Sequence, residues 1–468
     1  MVRTLDREYL NELFTKKTNH DTGKTLDVLP FTSQTGAIRD KFHKVMGEYV
    51  RNICQLKYDE KSLGNREFYV SSKENELSEY IASNVEFNND DEMYDFTRFL
   101  DQYLFSQDEI KPIHPFLFNY MSIKVDKDKL ENELKKYGQF LNEVFGKNNS
   151  EITSIFTTKD SEDILTELIL SKMDALKETK VKSVQYQPLL NSFSELYKED
   201  LIYLSKYKDY FLASFPLLTH YYVFMYACQL LLKFEQYTES DFNKVHPLYF
   251  ALEWESISKR RKAADELEGF KFIKEKSINL FRHIHTISHL SHNSLNEDNK
   301  AGISFMPYSE LYDRIKAKGN EYEQEFLKEL KQWIQDYSIY KKVNVVDHSE
   351  DLPAAFRVLF TCLKEGMSAN VCKKYGENIE DLGANQFIKT RGSLGQVLNV
   401  KHEFLLLLTA VSVKDKRIPL NELFKEYEKR GIKFDRYSKK EIIKLFDNLN
   451  ILDKKSDSGD AQYVKPIL

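Results

Sequence analysis

The sequence His402-Glu-Phe-Leu-Leu-Leu-Leu-Thr-Ala-Val-Ser-Val413 opens the most informative stretch of this chain, residues 401–468. Its apolar character predicts a buried helix, and the charged segment Lys414-Asp-Lys-Arg417 predicts a turn. A second helix is expected to begin at Pro419, because the first helical position does not need the N–H that proline lacks. It is expected to end at Gly431, because glycine readily adopts the left-handed conformation that follows a helix.

A third helix and a hairpin are predicted to follow. Ser438-Lys-Lys-Glu441 fits a capping box, in which the serine oxygen and the glutamate carboxylate each accept a backbone N–H, so the helix is expected to begin at Ser438. After Leu449 the pattern becomes extended, and Ile451 to Lys465 predicts a hairpin that turns at Ser458-Gly459. Together these elements predict a winged helix-turn-helix module over residues 396–468, a geometry that can place a helix in a DNA groove.

The charge distribution favours a nucleic-acid contact for this module. Residues 401–468 contain fifteen Lys or Arg and eleven Asp or Glu, which gives +4, whereas the whole chain is formally −5 and the remaining residues therefore carry −9. Lysine side chains of this module would contact DNA phosphates without reading the base sequence. A module that packs on a protein partner remains the alternative. The candidate DNA contacts are Lys439, Lys440 and Lys444 on the third helix and Lys454 and Lys455 on the hairpin.

Two further basic segments are candidates for phosphate contacts. Lys389 and Arg391 lie in the segment Phe387-Ile-Lys-Thr-Arg-Gly392, which either approaches a phosphate or acts as an interdomain hinge. The densest basic cluster is Lys259-Arg-Arg-Lys262. Acidic residues flank this cluster and weaken its field, so a solvated helix face is favoured over a DNA contact.

Composition predicts a mainly α protein with two or three domains. The chain has 468 residues with only 16 glycines and 10 prolines, fewer turn residues than a β-rich fold would need. We expect a mixed N-terminal region over 1–120, a multi-helical body over 121–395 and the winged-helix module over 396–468. Apolar periodicity predicts helices over residues 126–145, 160–177, 189–207, 211–237, 248–268, 271–292, 308–340 and 352–365.

The sequence also indicates a cytoplasmic location. Its four cysteines form no CxxC pair, which fits a reducing compartment, and its N-terminus lacks the apolar core of a signal peptide. The segment between Asp209 and Lys233 contains no charged residue and is long enough to cross a bilayer. A buried central helix is favoured over a membrane span, because the segment contains Pro216, His220 and Gln229 and has no second counterpart.

No catalytic motif is complete. Asp21-Thr-Gly-Lys-Thr25 resembles the end of a phosphate-binding loop, but the required upstream glycine is Thr18. His285, His289 and His292 share one helix face and could bind a transition metal. A polar face against a neighbouring element or solvent is favoured, because no adjacent residues complete a ligand set, and a nucleic-acid backbone contact is a third interpretation. We therefore expect a protein that is not an enzyme and has neither cofactor nor metal.

A family resemblance supports these expectations. Gly392-Ser-Leu-Gly-Gln-Val-Leu-Asn-Val-Lys-His-Glu-Phe-Leu-Leu-Leu-Leu-Thr409, Leu420-Asn-Glu-Leu-Phe-Lys-Glu-Tyr-Glu-Lys-Arg-Gly431 and Lys454-Lys-Ser-Asp-Ser-Gly-Asp-Ala-Gln-Tyr-Val-Lys465 resemble DptG, also called DndG. This family belongs to bacterial DNA phosphorothioation-dependent restriction systems. The resemblance is most specific over residues 387–468. It implies an antiphage role without catalytic residues in this chain, and protein partners resembling the ATPase subunits DptF and DptH.

Two functional hypotheses from different classes follow. The first is a non-catalytic subunit that binds double-stranded DNA and serves as a scaffold in a restriction complex. The second is a stand-alone winged-helix transcriptional regulator whose helical body binds a ligand or forms a dimer. The long acidic body favours the first. The histidine run leaves a nuclease as a third hypothesis.

Overall fold

A computed structural model of the protein describes residues 4–16, 20–33, 36, 38–58, 76–106, 109–121, 129–147, 149–180, 182–256, 268–297, 302–454 and 462–468. The structure is mainly helical, as the composition predicts. The described α-helices are α1 Arg7–Lys16, α2 Val45–Ile53, α3 Glu76–Ala82, α4 Asp90–Leu104, α5 Lys129–Leu141, α6 Ser150–Thr157, α7 Ile164–Ser171, α8 Asn191–Ser205, α9 Lys208–Glu235, α10 Phe270–Ser277, α11 Leu280–Ser291, α12 Tyr308–Lys318, α13 Asn320–Lys341, α14 Leu352–Gly366, α15 Ala369–Gly383, α16 His402–Val413, α17 Leu420–Lys429 and α18 Arg436–Asn448.

The strands are short and form small separate sheets. They are β1 Leu56–Tyr58, β2 Phe105–Ser106, β3 Glu109–Ile110, β4 Leu176–Glu178, β5 Leu248–Tyr249, β6 Ala251–Leu252, β7 Ile388–Thr390, β8 Gln396–Val400, β9 Ile418–Pro419, β10 Ile432–Lys433, β11 Leu452–Lys454 and β12 Gln462–Val464. The described sheets have the orders β1-β4, β2-β3, β10-β5, β6-β8-β7 and β11-β12-β9. The β5–β10 and β6–β8 pairs are parallel, and the others are antiparallel.

The chain divides into two compact units. The first unit contains Met1–Gly36, Val184–Ser194 and Tyr221–Ile467, and the second contains Ala37–Ser183, Glu195–His220 and Leu468. Each unit therefore combines separate stretches of chain, whereas the sequence predicts three consecutive regions. That three-region division stays a prediction. The first unit includes the described candidate DNA-contact residues and His285, His289 and His292.

The helix α9 is the apolar segment that raised the question of a membrane span. It is long and apolar enough to cross a membrane, but 83% of its most apolar stretch of 18 residues is buried within the protein. A helix that is apolar on all sides and buried is typical of the core of a large soluble protein. The prediction of a buried central helix is therefore supported, while the cytoplasmic location stays a prediction.

Four of the predicted helices differ from the structure. In the range 160–177 only α7 is helical and β4 begins at Leu176, and the range 271–292 forms two helices, α10 and α11. Residues 248–252 do not begin a helix, because β5 and β6 form there and pair with strands far along the chain. Residues 308–340 form two helices, α12 and α13, separated by Gly319. Its φ of +95° is a conformation that glycine adopts without a Cβ clash, so the helical path ends there and restarts.

The C-terminal part of the first unit follows the order α16, β9, α17, β10, α18, β11, β12. The antiparallel pair β11–β12 joins Leu452 to Val464, and β12 pairs in turn with β9, where Ile418 lies opposite Val464. The buried apolar side chains of α17 and α18 are Leu420, Leu423, Phe424, Tyr427, Ile442 and Phe446. Helix α17 packs against α16, β9 and β12, and α18 packs against β11. The predicted turn at Ser458-Gly459 lies outside the described residues.

Candidate functional site

The N-cap of α18 lies three residues earlier than the predicted cap, Ser438. Asp435 is the N-cap, and its Oδ1 accepts hydrogen bonds from the backbone N–H groups of Tyr437 at 2.9 Å and Ser438 at 2.7 Å. The predicted capping box at Ser438 and Glu441 is therefore wrong. A carboxylate at this position also interacts favourably with the positive end of the helix dipole.

Replacing Asp435 with alanine is expected to destabilise the C-terminal part of the first unit by about 1 kcal/mol, because two backbone donors lose their acceptor. Asp435→Asn is the matched control, since asparagine caps helices as well as aspartate does. Urea unfolding followed by hydrogen exchange over residues 402–454 measures the difference. Equal stability of the alanine and asparagine variants would show that the cap does not matter here.

The side chain of Ser438 instead connects α18, by a hydrogen bond, to a part of the first unit that is distant in sequence. Its side chain is buried, and its hydroxyl is 3.0 Å from both carboxylate oxygens of Glu255. Glu255 is itself buried and accepts a hydrogen bond from the backbone N–H of Leu252 at 2.9 Å. Because Glu255 is more than 180 positions away in sequence, this contact could not be inferred from the local pattern.

The opposite side of α18 presents a basic stripe to solvent. Arg436, Lys440 and Lys444 are exposed and recur at four-residue spacing, which places them along one face of the helix. The buried stripe of Ser438, Ile442 and Phe446 is offset from them by two positions, or about 200° around the helix. Arg436 was missed from the sequence because the helix was expected to start after it.

The three lysines predicted on α18 are not equivalent. Lys440 is exposed and has no ion pair among the described residues. Lys444 is also exposed, but its Nζ lies 2.7 Å from the Glu441 carboxylate, so part of its charge is neutralised. Lys439 is half-buried, with its Nζ 4.7 Å from the centre of the Phe424 ring. Lys440 therefore offers the strongest field for a phosphate.

The structure gives less support to DNA contacts by the other residues predicted from the sequence. Lys455 and the side chain of Lys454 lie outside the described part of the chain, as does the cluster Lys259-Arg-Arg-Lys262. Lys389 pairs with Glu253 at 3.1 Å. Arg391 donates to the carbonyl oxygens of Leu252 at 2.8 Å and Glu253 at 3.0 Å, and to Asn399 Oδ1. These bonds hold β6 against β7 and β8, so Lys389 and Arg391 have structural partners.

The histidines of α11 are buried in the first unit. His285 and His289 are each 1% exposed, and His289 packs edge-on against Phe14 and Trp333. Neither ring nitrogen of His289 has a hydrogen-bond partner among the described residues. His292 stacks on Tyr9 with ring centres 4.7 Å apart, and its Nδ1 donates to the Ser288 carbonyl oxygen at 2.7 Å. The face therefore packs against neighbouring elements.

Burial keeps the imidazoles of His20, His285 and His289 neutral. Burial lowers the pKa of His285 to about 3, with His20 adding to the effect and Asp21 opposing it. Burial also lowers the pKa of His20 to about 4, and it holds the pKa of His289 well below 6.5. No group of three His, Cys, Asp or Glu side chains within the described ranges is arranged to hold a metal ion.

Comparison of the chain with protein-family models gave no match. Comparison with curated proteins gave no significant match either.

Proposed function

We propose that residues 402–468 form a winged helix-turn-helix module that binds double-stranded DNA through its phosphates, with α18 as the helix presented to the groove. The observation that carries the proposal is the order α16, β9, α17, β10, α18, β11, β12, with β9 pairing to the terminal hairpin. In DNA-binding proteins of this kind, a helix enters the major groove while flanking elements contact the backbone.

The electrostatics of α18 support phosphate contacts by side chains. The free N–H groups at a helix N-terminus often bind anions. Here the carboxylate of Asp435 occupies that position, so it would repel a phosphate at the helix end. The positive charge lies instead along the exposed stripe of Arg436, Lys440 and Lys444. The proposal does not use Lys389 and Arg391, whose internal partners account for both side chains.

The test is duplex binding by the full chain as a function of salt. If Lys440 and Lys444 each neutralise a phosphate, the slope of log affinity against log salt should be reduced by about 0.9 for each lysine replaced with alanine. The Lys440→Ala/Lys444→Ala double variant should lose affinity similarly for unrelated duplex sequences, because phosphate contacts carry no sequence information. Fluorescence anisotropy with labelled duplexes at several salt concentrations measures both quantities.

Lys244→Ala/Lys373→Ala is the matched control. Both lysines are exposed and lie outside residues 402–468. Replacing them removes the same charge as replacing Lys440 and Lys444. The control should retain the wild-type slope. If the wild-type chain fails to bind duplex at low salt, or if both double variants behave alike, residues 402–468 serve as a protein-docking element and the DNA proposal fails.

We further propose that the chain acts as a non-catalytic DNA-binding and scaffold subunit of a DNA phosphorothioation-dependent restriction complex. The resemblance of residues 387–468 to DptG supports this role. The expected protein partners resemble DptF and DptH and would supply ATPase activity. Affinity purification of the tagged chain from its native host tests the proposal. Recovery of an ATPase in stoichiometric amounts is expected, whereas isolation of a homodimer alone on a defined operator would contradict it.

A further inference from the structure

The second unit exposes aromatic side chains on the pair of helices α3 and α4. Tyr94 is 63% exposed, Phe99 46% and Tyr80 45%, which is unusual for such large rings. Phe99 also belongs to a continuous row of ring contacts. Its neighbours are Phe96, at 6.2 Å between ring centres, and Tyr103, at 5.4 Å, and Phe96 in turn contacts Phe87.

The same helices are strongly acidic. Residues 76–104 contain eight Asp or Glu and a single basic residue, Arg98, so their net charge is −7. Seven of the eight are exposed, since only Asp101 is buried. Asp91 and Asp95 have no ion pair among the described residues. The exposed acids are Glu76, Glu79, Glu86, Asp90, Asp91, Glu92 and Asp95.

The acids and the rings share one face of α4. Asp91, Asp95 and Phe99 recur at four-residue spacing, so they form a single stripe along the helix. Tyr94 lies three residues after Asp91, on the neighbouring part of the same helix. We name the surface made by Asp91, Tyr94, Asp95 and Phe99 the acidic aromatic surface. It combines apolar area with net negative charge, which favours a cationic occupant over nucleic acid because phosphates would be repelled.

Cations of the protein already lie over two exposed rings of α3 and α4. The Arg98 guanidinium is 5.8 Å from the centre of the Tyr94 ring, and the Lys172 Nζ is 5.8 Å from the centre of the Tyr80 ring. Aromatic faces attract cations through their quadrupole, and exposed aromatic residues are common anchors in protein interfaces. Both features suit a partner that carries lysine or arginine beside apolar side chains.

We propose that the acidic aromatic surface binds a basic amphipathic segment of a protein partner. The rings of Tyr94 and Phe99 would cover the apolar side of that segment, while Asp91 and Asp95 would pair with its cations. Charge complementarity commits the surface to a basic partner and would steer its approach. The proposal goes beyond DNA binding by residues 402–468, because it rests only on residues of the second unit.

The test uses the full chain and two labelled probes. One is an amphipathic helical peptide made of leucine and lysine, and the other is the same peptide with glutamate in place of lysine. We expect the wild-type chain to bind the lysine peptide and not the glutamate peptide in fluorescence anisotropy. Tyr94→Ala/Phe99→Ala and Asp91→Asn/Asp95→Asn should each weaken binding of the lysine peptide about tenfold or more, as anchor residues do.

Glu151→Gln/Glu162→Gln is the control for overall charge, because both residues are exposed in the second unit and lie outside α3 and α4. It should bind the lysine peptide as the wild type does, and so should Lys440→Ala/Lys444→Ala. Wild-type affinity in Tyr94→Ala/Phe99→Ala, with unchanged circular dichroism, would overturn the proposal. Equal losses of peptide affinity in Asp91→Asn/Asp95→Asn and Glu151→Gln/Glu162→Gln would also overturn it. A wild-type dimer that becomes monomeric in Tyr94→Ala/Phe99→Ala would assign the surface to a second copy instead.

Discussion

Acidification from pH 7 to pH 5 is expected to destabilise the first unit steeply, before most carboxylates begin to titrate. The reason is that His20, His285 and His289 are held neutral by burial, with pKa values of about 4 and about 3 for the first two and well below 6.5 for the third. In the unfolded chain each imidazole has a pKa near 6.5 and takes up a proton as the pH falls.

The direction and the pH window follow from these shifts. A histidine whose folded-state pKa is depressed contributes no penalty above pH 6.5. Below that value the unfolded state binds more protons than the folded state, so stability falls as the pH falls. Each such histidine can contribute up to about 1.4 kcal/mol per pH unit until its folded pKa is reached. Carboxylates with lowered pKa values, such as Glu235 at about 2, add to the loss only below about pH 4.5.

Trp333 gives a local measurement of this effect. It is fully buried, with its ring centre 5.6 Å from that of His289, and the chain has only one other tryptophan, Trp254. Urea unfolding of a Trp254→Phe background at pH 7.5, 6.0 and 5.0, followed by Trp333 fluorescence, reports on the first unit. His289→Phe should flatten the pH dependence, because it removes one titrating group whose nitrogens have no hydrogen-bond partner among the described residues. An identical pH dependence in this variant would contradict the explanation.

The sequence predicts helices well where the signal is local. The charge-free run between Asp209 and Lys233 identifies α9, and the apolar run from His402 to Val413 matches α16. It fails where the partner is distant. Residues 248–252 form strands because β8 and β10, about 150 and 180 positions later, supply the pairing, and no local periodicity reports such a partner.

The same distinction between local signals and distant partners explains which features of the candidate site the sequence predicts. Asp435 and Ser438 are both favoured N-cap residue types, and the local sequence does not decide between them. The contact of Ser438 with Glu255 does, because it buries the serine side chain away from the helix end. That error of three residues hid Arg436. The exposed position of Lys440 followed from the helical period, whereas the internal partners of Arg391 required knowledge of β6.

Replacing Arg430 with methionine is expected to destabilise the C-terminal part of the first unit by about 3 kcal/mol, the size typical of breaking a buried ion pair. The Arg430 side chain is 1% exposed, and its Nη1 is 3.0 Å from both the carboxylate and the backbone carbonyl oxygen of Glu426. Its Nη2 donates to the Val411 carbonyl oxygen at 3.2 Å, so this one side chain connects α17 to the end of α16.

The loss of stability on removing this guanidinium depends on which partners the Glu426 carboxylate keeps. Burial raises the pKa of the Glu426 carboxyl, but Lys429 and Arg430 together lower it below its usual range. Lys429 Nζ lies 2.5 Å from the carboxylate and stays in the methionine variant, which limits the cost of the unpaired acid. The carbonyl oxygens of Val411 and Glu426 would still lose their donor, and such losses cost about 1–3 kcal/mol when the group is buried.

A double-mutant cycle separates the ion pair from these carbonyl contacts. Glu426→Gln alone should cost less than Arg430→Met, because the guanidinium keeps its backbone acceptors. The double variant should be more stable than the sum of the two losses predicts, since the pair is broken only once. Hydrogen exchange over residues 402–454 during urea unfolding measures each free energy locally. Because Phe424 of α17 lies against Lys439 of α18, loss of α17 should disturb α18. Duplex binding by Arg430→Met should therefore be lost at a lower temperature than in the wild type. Strict additivity in the cycle would show that the Arg430–Glu426 pair contributes nothing, and wild-type stability of Arg430→Met would show the same for the carbonyl contacts.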